Sequence, residues 1–332
     1  MSHSWQAPHA RLDEKPLRVG AIGCGSHSTT AIWPELPAAG LVLHAVCSRD
    51  IDHATAAAER FGVNRAFDNA ERMLNEIELD ALVVVVPPDA FAPYVRLAIE
   101  RGLPAFVEKP GANSAEEACE LAAQATKAGV EVVVGYQKRF AAAFRKARSL
   151  IAEDDFGQPT LGSFTWAMGP FHQHFSLRDW LFENPVHHFD LARYFLGEIS
   201  ELEARVIEVG GEFALVLTGR SSSGALVSIR ANTTASWEQH NEAVEIFGLG
   251  HSVLIDNVDT CVHRPPDGPE LVWRPNYTVP SSATFSGQTL GYGAGLAHFR
   301  DVIRGDAAAD SDLASAAATL ELAGEIARIV EA

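Results

Sequence analysis

The feature that most constrains the fold is a run of six residues without a polar side chain, Ala81-Leu82-Val83-Val84-Val85-Val86. A strand with one wet face would alternate, and a surface helix would carry a polar stripe. A short unbroken β-branched run suits a strand covered on both faces, as in a parallel sheet flanked by helices. The rest of the first half agrees. Apolar runs at Leu17–Ile22, Leu41–Cys47, Pro104–Val107 and Glu131–Val134 alternate with helical stretches near Thr29–Ala39, Ala54–Phe61, Pro93–Arg101 and Ser114–Ala128. Gly62, Gly102 and Gly129 stand where three of those helices should stop, and Ser114 with Glu117 forms a capping-box start. Alternation of this kind gives right-handed parallel crossovers and an α/β, doubly wound sheet of the Rossmann type.

Beyond about Gly135 the pattern changes. Helical stretches at Ala141–Ala152 and Val186–Phe195 flank a strand at Leu161–Ala167. Strand-like runs follow with hairpin spacing at Leu202–Val209, Phe213–Thr218, Ala225–Ala231, Ala243–Phe247 and Ser252–Ile255. Leu296–Ile303 and Leu313–Val330 read as helices. This second half is an α+β domain with an open, mostly antiparallel sheet. With 332 residues the chain has room for about two domains. The expected division is a mobile leader at 1–15, a dinucleotide-binding domain at 16–135, a substrate-binding and oligomerisation domain at 136–310, and a C-terminal helix at 311–332.

A formal net charge of -17 excludes a general attraction to nucleic acid or anionic membranes. No stretch approaches the roughly 18–20 apolar residues of a membrane helix, and residues 1–15 lack a signal-peptide layout. Cys24, Cys47, Cys119 and Cys261 show no paired spacing, which suits reduced thiols in a cytoplasm.

Gly23-Cys24-Gly25-Ser26-His27-Ser28 lies between the first strand and the first helical stretch. In a dinucleotide fold the first glycine permits the tight turn and the second lets backbone approach a pyrophosphate. The N–H groups opening the helix, from Ser26 and His27 onward, then face the anion. Ser28 is small enough for the third, close-packing position. At the tip of the second strand, where an acid would select NAD, stand Ser48 and Arg49, followed by Asp50. A hydroxyl beside a guanidinium suits the 2′-phosphate of NADP, whereas Asp50 could turn toward the ribose of NAD. The cofactor is thus expected to be NADP or NAD, with NADP favoured.

Glu108-Lys109-Pro110 follows the strand Pro104–Val107, on the ligand edge of such a sheet. Together with the Gly23-x-Gly25 loop, Gly135-Tyr136-Gln137-Lys138-Arg139-Phe140, and the stretch from His187-His188-Phe189-Asp190 to Gly197, this motif resembles the Gfo/Idh/MocA family. That family is named for glucose–fructose oxidoreductase, inositol dehydrogenase and a rhizopine-catabolism protein. The resemblance implies hydride transfer between a nicotinamide and a sugar, inositol or related polyol or ketone. It also implies dimers or tetramers formed through the second sheet. The chain departs from the family pattern at Pro87-Pro88-Asp89-Ala90-Phe91-Ala92, where Thr-Pro-Asn-x-x-His is usual, and at Glu183-Asn184-Pro185-Val186-His187, where Asp-x-Gly-x-His is usual. Pro88 and Glu108 are expected to border the cofactor.

Alcohol oxidation needs a base for the hydroxyl proton and a charge that favours alkoxide character. His187 is the expected base and Lys109 the expected cation, converging on one oxygen, with Glu183 or Asp190 orienting the imidazole. Asp190 sits three residues after His187 on one helix face, and its alternative role is a buried tie to the sheet. Lys138, Arg139 and Arg178 are expected as a cationic rim, Asn184 as a polar contact, and Tyr136, Trp166 and Trp180 as aromatic walls, with core packing as the competing role for each ring. His172 and His174 with His187 and His188 raise a zinc site, but no Cys or carboxylate set completes it, and no metal is expected. The same residues also fit two other functions. One is an NAD-dependent glycoside hydrolase of the same fold, and the other a non-catalytic cofactor-binding regulator.

Overall fold

The computed structural model describes residues 15–171, 175–239, 241–275 and 289–332. The leader expected at 1–15 lies outside the described residues up to residue 14, as do His172 and His174. The chain divides into two compact units, one of residues 1–137 and 280–318, the other of residues 138–279 and 319–332.

The first unit holds a six-stranded parallel sheet of β1 (Leu17–Ile22), β2 (Leu41–Cys47), β3 (Ala66–Phe67), β4 (Ala81–Val84), β5 (Ala105–Glu108) and β6 (Val132–Gly135). The strand order is β3-β2-β1-β4-β5-β6. The chain reverses its direction of travel across the sheet between β1 and β4, which opens a crevice at their carboxyl ends. Every residue of β4, β5 and β6 is buried, as the unbroken apolar run requires. The helices are α1 (Ile51–Phe61), α2 (Ala70–Glu76), α3 (Phe91–Glu100) and α4 (Ala115–Ala128). Asp50 caps α1, and Ser114 caps α4 by accepting from Glu117 N. β3 and α2, capped by Asn69, were not expected from the sequence.

The structure departs from two expectations. The helix foreseen at Thr29–Ala39 is instead a π-helical turn, Ser28–Ile32, followed by a 3-10 turn, Trp33–Glu35. Pro34 and Pro37 supply no N–H to continue an α-helix, yet the segment still buries Ile32, Trp33 and Leu36. The domain division also differs. Helix α8 (Tyr292–Ile303), expected in the second domain, belongs to the first unit. Its Leu296, Ala297, Phe299 and Val302 join Val19, Ala21, Val83 and Phe106 in one core cluster. Phe106 and Phe299 lie 6.0 Å apart, and Arg300 Nη1 donates to Ala39 O at 3.0 Å. A doubly wound sheet needs cover on both faces, and here the returning chain supplies part of it. Of the C-terminal helix α9 (Leu313–Glu331), residues through Ala318 cluster with the first unit and those from Thr319 with the second.

The second unit is an eight-stranded sheet in the order β14-β13-β12-β11-β7-β10-β9-β8. The strands are β7 (Leu161–Ala167), β8 (Ile199–Val209), β9 (Glu212–Ser221), β10 (Leu226–Asn232), β11 (Asn241–Phe247), β12 (Ser252–Asp256), β13 (Thr260–Arg264) and β14 (Leu271–Trp273). β7 and β10 run parallel, and the other described neighbours run antiparallel. Burial alternates along β9 and β10, with Phe213, Leu215, Leu217, Val227, Ile229 and Ala231 inward. α7 (Val186–Leu196) packs on β7, β8 and β10, and α5 (Ala142–Ile151) on β12 and β13. β13, β14 and α6 (Leu177–Glu183) are additions to the sequence reading. Each of the four cysteines is a free thiol. Among the described residues no helix is long and apolar enough to cross a membrane.

Candidate functional site

In the first unit a cavity opens at the carboxyl ends of β1, β2 and β4. Gly23, Cys24, Gly25, Ser48 and Arg49 line it, with His53, Val85, Pro87 and Tyr94. Gly23 has φ +97, and a Cβ there would come within 2.0 Å of Val85 O, so the turn requires glycine. Its N–H donates to Cys47 O at 2.8 Å, and its carbonyl accepts from Ser28 Oγ at 2.7 Å. A Cβ on Gly25 would meet nothing within 4 Å. The loop is therefore folded tightly at its first glycine and open at its second, the shape a pyrophosphate needs. Burial pushes the Cys24 thiol, in this wall, up to about 12 and the Cys47 thiol up to about 11, so both are neutral.

Asp50 spends one carboxylate oxygen capping α1, accepting from Asp52 N at 2.9 Å and His53 N at 3.4 Å. It is held by its own helix, which leaves Ser48 and Arg49 as the polar lining at the tip of β2. Arg49 makes no hydrogen bond or ion pair among the described residues. His53, one turn into α1 and 3.8 Å from Asp50 Oδ2, lines the same cavity and was missed in the sequence. The signal was present: Asp50 at the cap position places residue 53 beside it. Around this loop the Ser26 carbonyl accepts from Thr30 Oγ1 at 2.7 Å, the His27 side chain turns toward Glu108, and Pro87 lines the cavity where Pro88 was expected.

Glu108 ends β5 and is buried. Its Oε2 accepts from Lys109 N at 3.1 Å, and its Oε1 lies 3.5 Å from His27 Nε2. The His27 ring meets the Tyr292 ring edge-on at 5.6 Å. Burial and then the Glu108 charge raise the Tyr292 phenol above its ordinary range, so it stays protonated. Lys109 is half-buried at the carboxyl edge of the sheet, where the sequence placed it. Tyr136, expected as a substrate wall, is only 1% exposed and packs in the core.

The second unit overturns the expected cationic rim. Arg139 is buried and grips Asp190 with both prongs, Nε to Oδ2 at 2.7 Å and Nη2 to Oδ1 at 2.5 Å. Thr319 Oγ1 adds a contact to Oδ1 at 3.3 Å. Asp190 is thus the buried tie and not the group that orients His187. Lys138 is buried too and pairs with Glu242 on β11. His188 lies fully buried with Nε2 3.6 Å from the same Glu242 oxygen. Burial, and then the Lys138 ammonium, hold the His188 imidazole well below its ordinary value. Nothing in the sequence singled out Glu242, because its partners are distant in the chain. Of the rim only Arg178 is exposed, with its guanidinium 4.9 Å over the Phe182 ring.

His187 is the second residue of α7 and is half-buried. Glu183 ends α6, Asn184 caps it, and Pro185 opens α7. Asn184 Nδ2 is buried with no hydrogen-bond partner among the described residues, a donor left for something else to accept. Trp166, on β7, is buried and stacks on Phe171, while Trp180 is core.

A family model described as oxidoreductase family, NAD-binding Rossmann fold, matches residues 17–136. The chain is 27% identical over 208 residues to a D-apiose dehydrogenase from Paraburkholderia graminis, covering 60% of this chain and 55% of that protein. It is also 27% identical over 191 residues to inositol 2-dehydrogenase 4 from Saccharopolyspora erythraea, covering 56% of each. The match thus spans little more than half the length of these curated relatives. A dehydrogenase structure from Chromobacterium violaceum superposes with a TM-score of 0.87 over 96% of both chains at 24% identity, which shows the shared fold.

Proposed function

We infer the function from one premise: residues 17–136 belong to the Gfo/Idh/MocA oxidoreductase family, with its NAD-binding Rossmann fold. The reading is an NAD(P)-dependent dehydrogenase or reductase that acts on a CH–OH group of a sugar, inositol or related polyol. The observation that carries it is the glycine turn at the switch point, tight at Gly23 and open at Gly25. Gly23, Gly25 and the following amides would hold the pyrophosphate, and Ser48 and Arg49 the adenosine ribose. With one Asp50 oxygen engaged in its helix cap and Arg49 without a partner among the described residues, the preference falls on NADP. When bound, the nicotinamide supplies the hydride acceptor.

The chain's own residues do the rest. His187 would take the hydroxyl proton as general base, the role imidazole most often fills. Lys109 would favour alkoxide character in the reacting hydroxyl. Glu183 orients the imidazole or accepts from a neighbouring hydroxyl, and Asn184, whose Nδ2 has no partner among the described residues, offers its amide to another. The substrate carries the reacting CH–OH group on a sugar, inositol or related polyol unit, and the enzyme works as a cytoplasmic homodimer or homotetramer. Reduction of NADP+ or NAD+ followed at 340 nm across sugars and inositols tests this. Lys109→Ala should lower turnover about a hundred-fold or more while cofactor affinity holds; turnover near wild type would remove Lys109 from the mechanism.

A further inference from the structure

The second unit carries an aromatic group that the reading above leaves unused. Trp166 lies nearly parallel to Phe171, with ring centres 6.4 Å apart at 17°. Phe171 in turn meets Phe175 edge-on at 5.5 Å and Trp237 edge-on at 5.1 Å. Trp166 is 5% exposed and Trp237 49% exposed, so the group runs from the sheet out to solvent.

Trp237 is fixed although it is half in water. Its Nε1 donates to Pro170 O at 2.7 Å. A Cβ on Gly169 would come within 2.4 Å of the indole, so only glycine lets the ring lie there. Ala235 N donates to Met168 O at 2.9 Å and ties the two loops together. With the indole N–H already used, what Trp237 offers is its face. A large ring held in one pose without being covered presents apolar surface that a ligand can bury.

The place is informative as well. Phe171 and Trp237 follow the carboxyl ends of β7 and β10, where Ala167 pairs with Asn232, and precede the start of β11, where Asn241 pairs with Ala167. Glu242 sits opposite Trp166 in register and lies 3.6 Å from His188, the neighbour of His187. The platform and the start of α7 therefore share one sheet edge within the second unit. Segments 168–171 and 233–239 contain no Lys or Arg, and the nearby Lys138 and Arg139 are committed to buried carboxylates. Among the described residues the two loops present no cation to a phosphate, and the exposed indole face suits a neutral ring.

We propose that the substrate is a glycoside rather than a free sugar or polyol, with a second, neutral, apolar-faced ring packed on Trp237 and Phe171. Carbohydrate CH faces and aryl rings share the chemistry this surface accepts. The proposal rests on the dehydrogenase reading for the ring that reacts, and on the Trp237–Phe171 platform for the ring that stacks.

The test is calorimetric binding of phenyl, cellobiosyl-type disaccharide and methyl glycosides in the gluco, galacto and xylo series, to wild type, Trp237→Ala and Trp237→Phe. Thermal melting checks that each variant is folded. Phenyl glycosides and disaccharides should bind roughly three- to tenfold tighter than the methyl glycoside. That ratio should collapse in Trp237→Ala and largely return in Trp237→Phe. An unchanged ratio in Trp237→Ala, or no preference for a second ring in wild type, or no binding of any two-ring glycoside, overturns the proposal. The same compounds assayed for NAD(P)+ reduction separate the two claims: binding preference intact with no reduction by any of them defeats the dehydrogenase reading and leaves the platform standing.

Discussion

The two units use their polar residues in opposite ways. In the first, the polar lining of the cavity is open: Gly25 faces free space, and Arg49 has no partner among the described residues. In the second, charges expected at a surface are turned inward, Arg139 onto Asp190 and Lys138 onto Glu242. The first unit's site is written in backbone, so its shape follows from glycines and caps that act within a few residues. The second unit's site is written in side chains, whose partners come from distant strands. A carboxylate near a histidine can then serve the fold as readily as the chemistry.

The sharpest way to break that contrast is Asp190→Ala. If Asp190 ties α7 down, its loss leaves the Arg139 guanidinium buried and uncompensated, at a cost of about 3–5 kcal/mol. Urea denaturation reads this directly, and replacing both partners by apolar residues should recover much of it. A stable Asp190→Ala protein that merely lost activity would return Asp190 to the catalytic set.

A smaller effect follows from His188. Burial and the Lys138 ammonium lower its affinity for a proton in the folded state from the ordinary value of 6.5. The unfolded chain therefore gains a proton that the folded one refuses. Stability should fall as pH drops below about 6.5, by up to about 1.4 kcal/mol per pH unit. His188→Gln should flatten the dependence of melting temperature on pH between about 5 and 6.5. The same slope in both proteins would show that the imidazole takes up its proton without unfolding.

The smallest expected effect sharpens the first unit's half. Arg49→Ala should weaken NADPH binding about tenfold, the worth of one charge-assisted hydrogen bond, and change NADH binding far less. Equal losses for both cofactors would mean that Arg49 does not read the 2′ position.

How much was legible follows the same division. The run Ala81–Val86 announced the parallel sheet because no other short element is apolar on every side. Gly23 and Gly62 acted locally and behaved as read, and Ser114 caps its helix as read while Glu117 reaches back to Asn113 N in place of Ser114 N. What the sequence hid is long-range. Lys138 and Glu242 are 104 residues apart and Arg139 and Asp190 51 apart, so no spacing rule joins them. The return of α8 to the first unit is set by which sheet face still lacked cover, a property of the folded core. Pro34 and Pro37 were visible, but the apolar pattern around them outweighed them in the reading of Thr29–Ala39.

The central claim is that the open space at Gly25 belongs to a dinucleotide phosphate. Because a side chain there meets nothing within 4 Å, Gly25→Val should fold and melt like wild type. Fluorescence titration with NADPH and NADH should nevertheless show affinity reduced at least about tenfold, since the valine would occupy the phosphate's place. Unchanged affinity for both cofactors in a normally folded Gly25→Val protein would contradict the account.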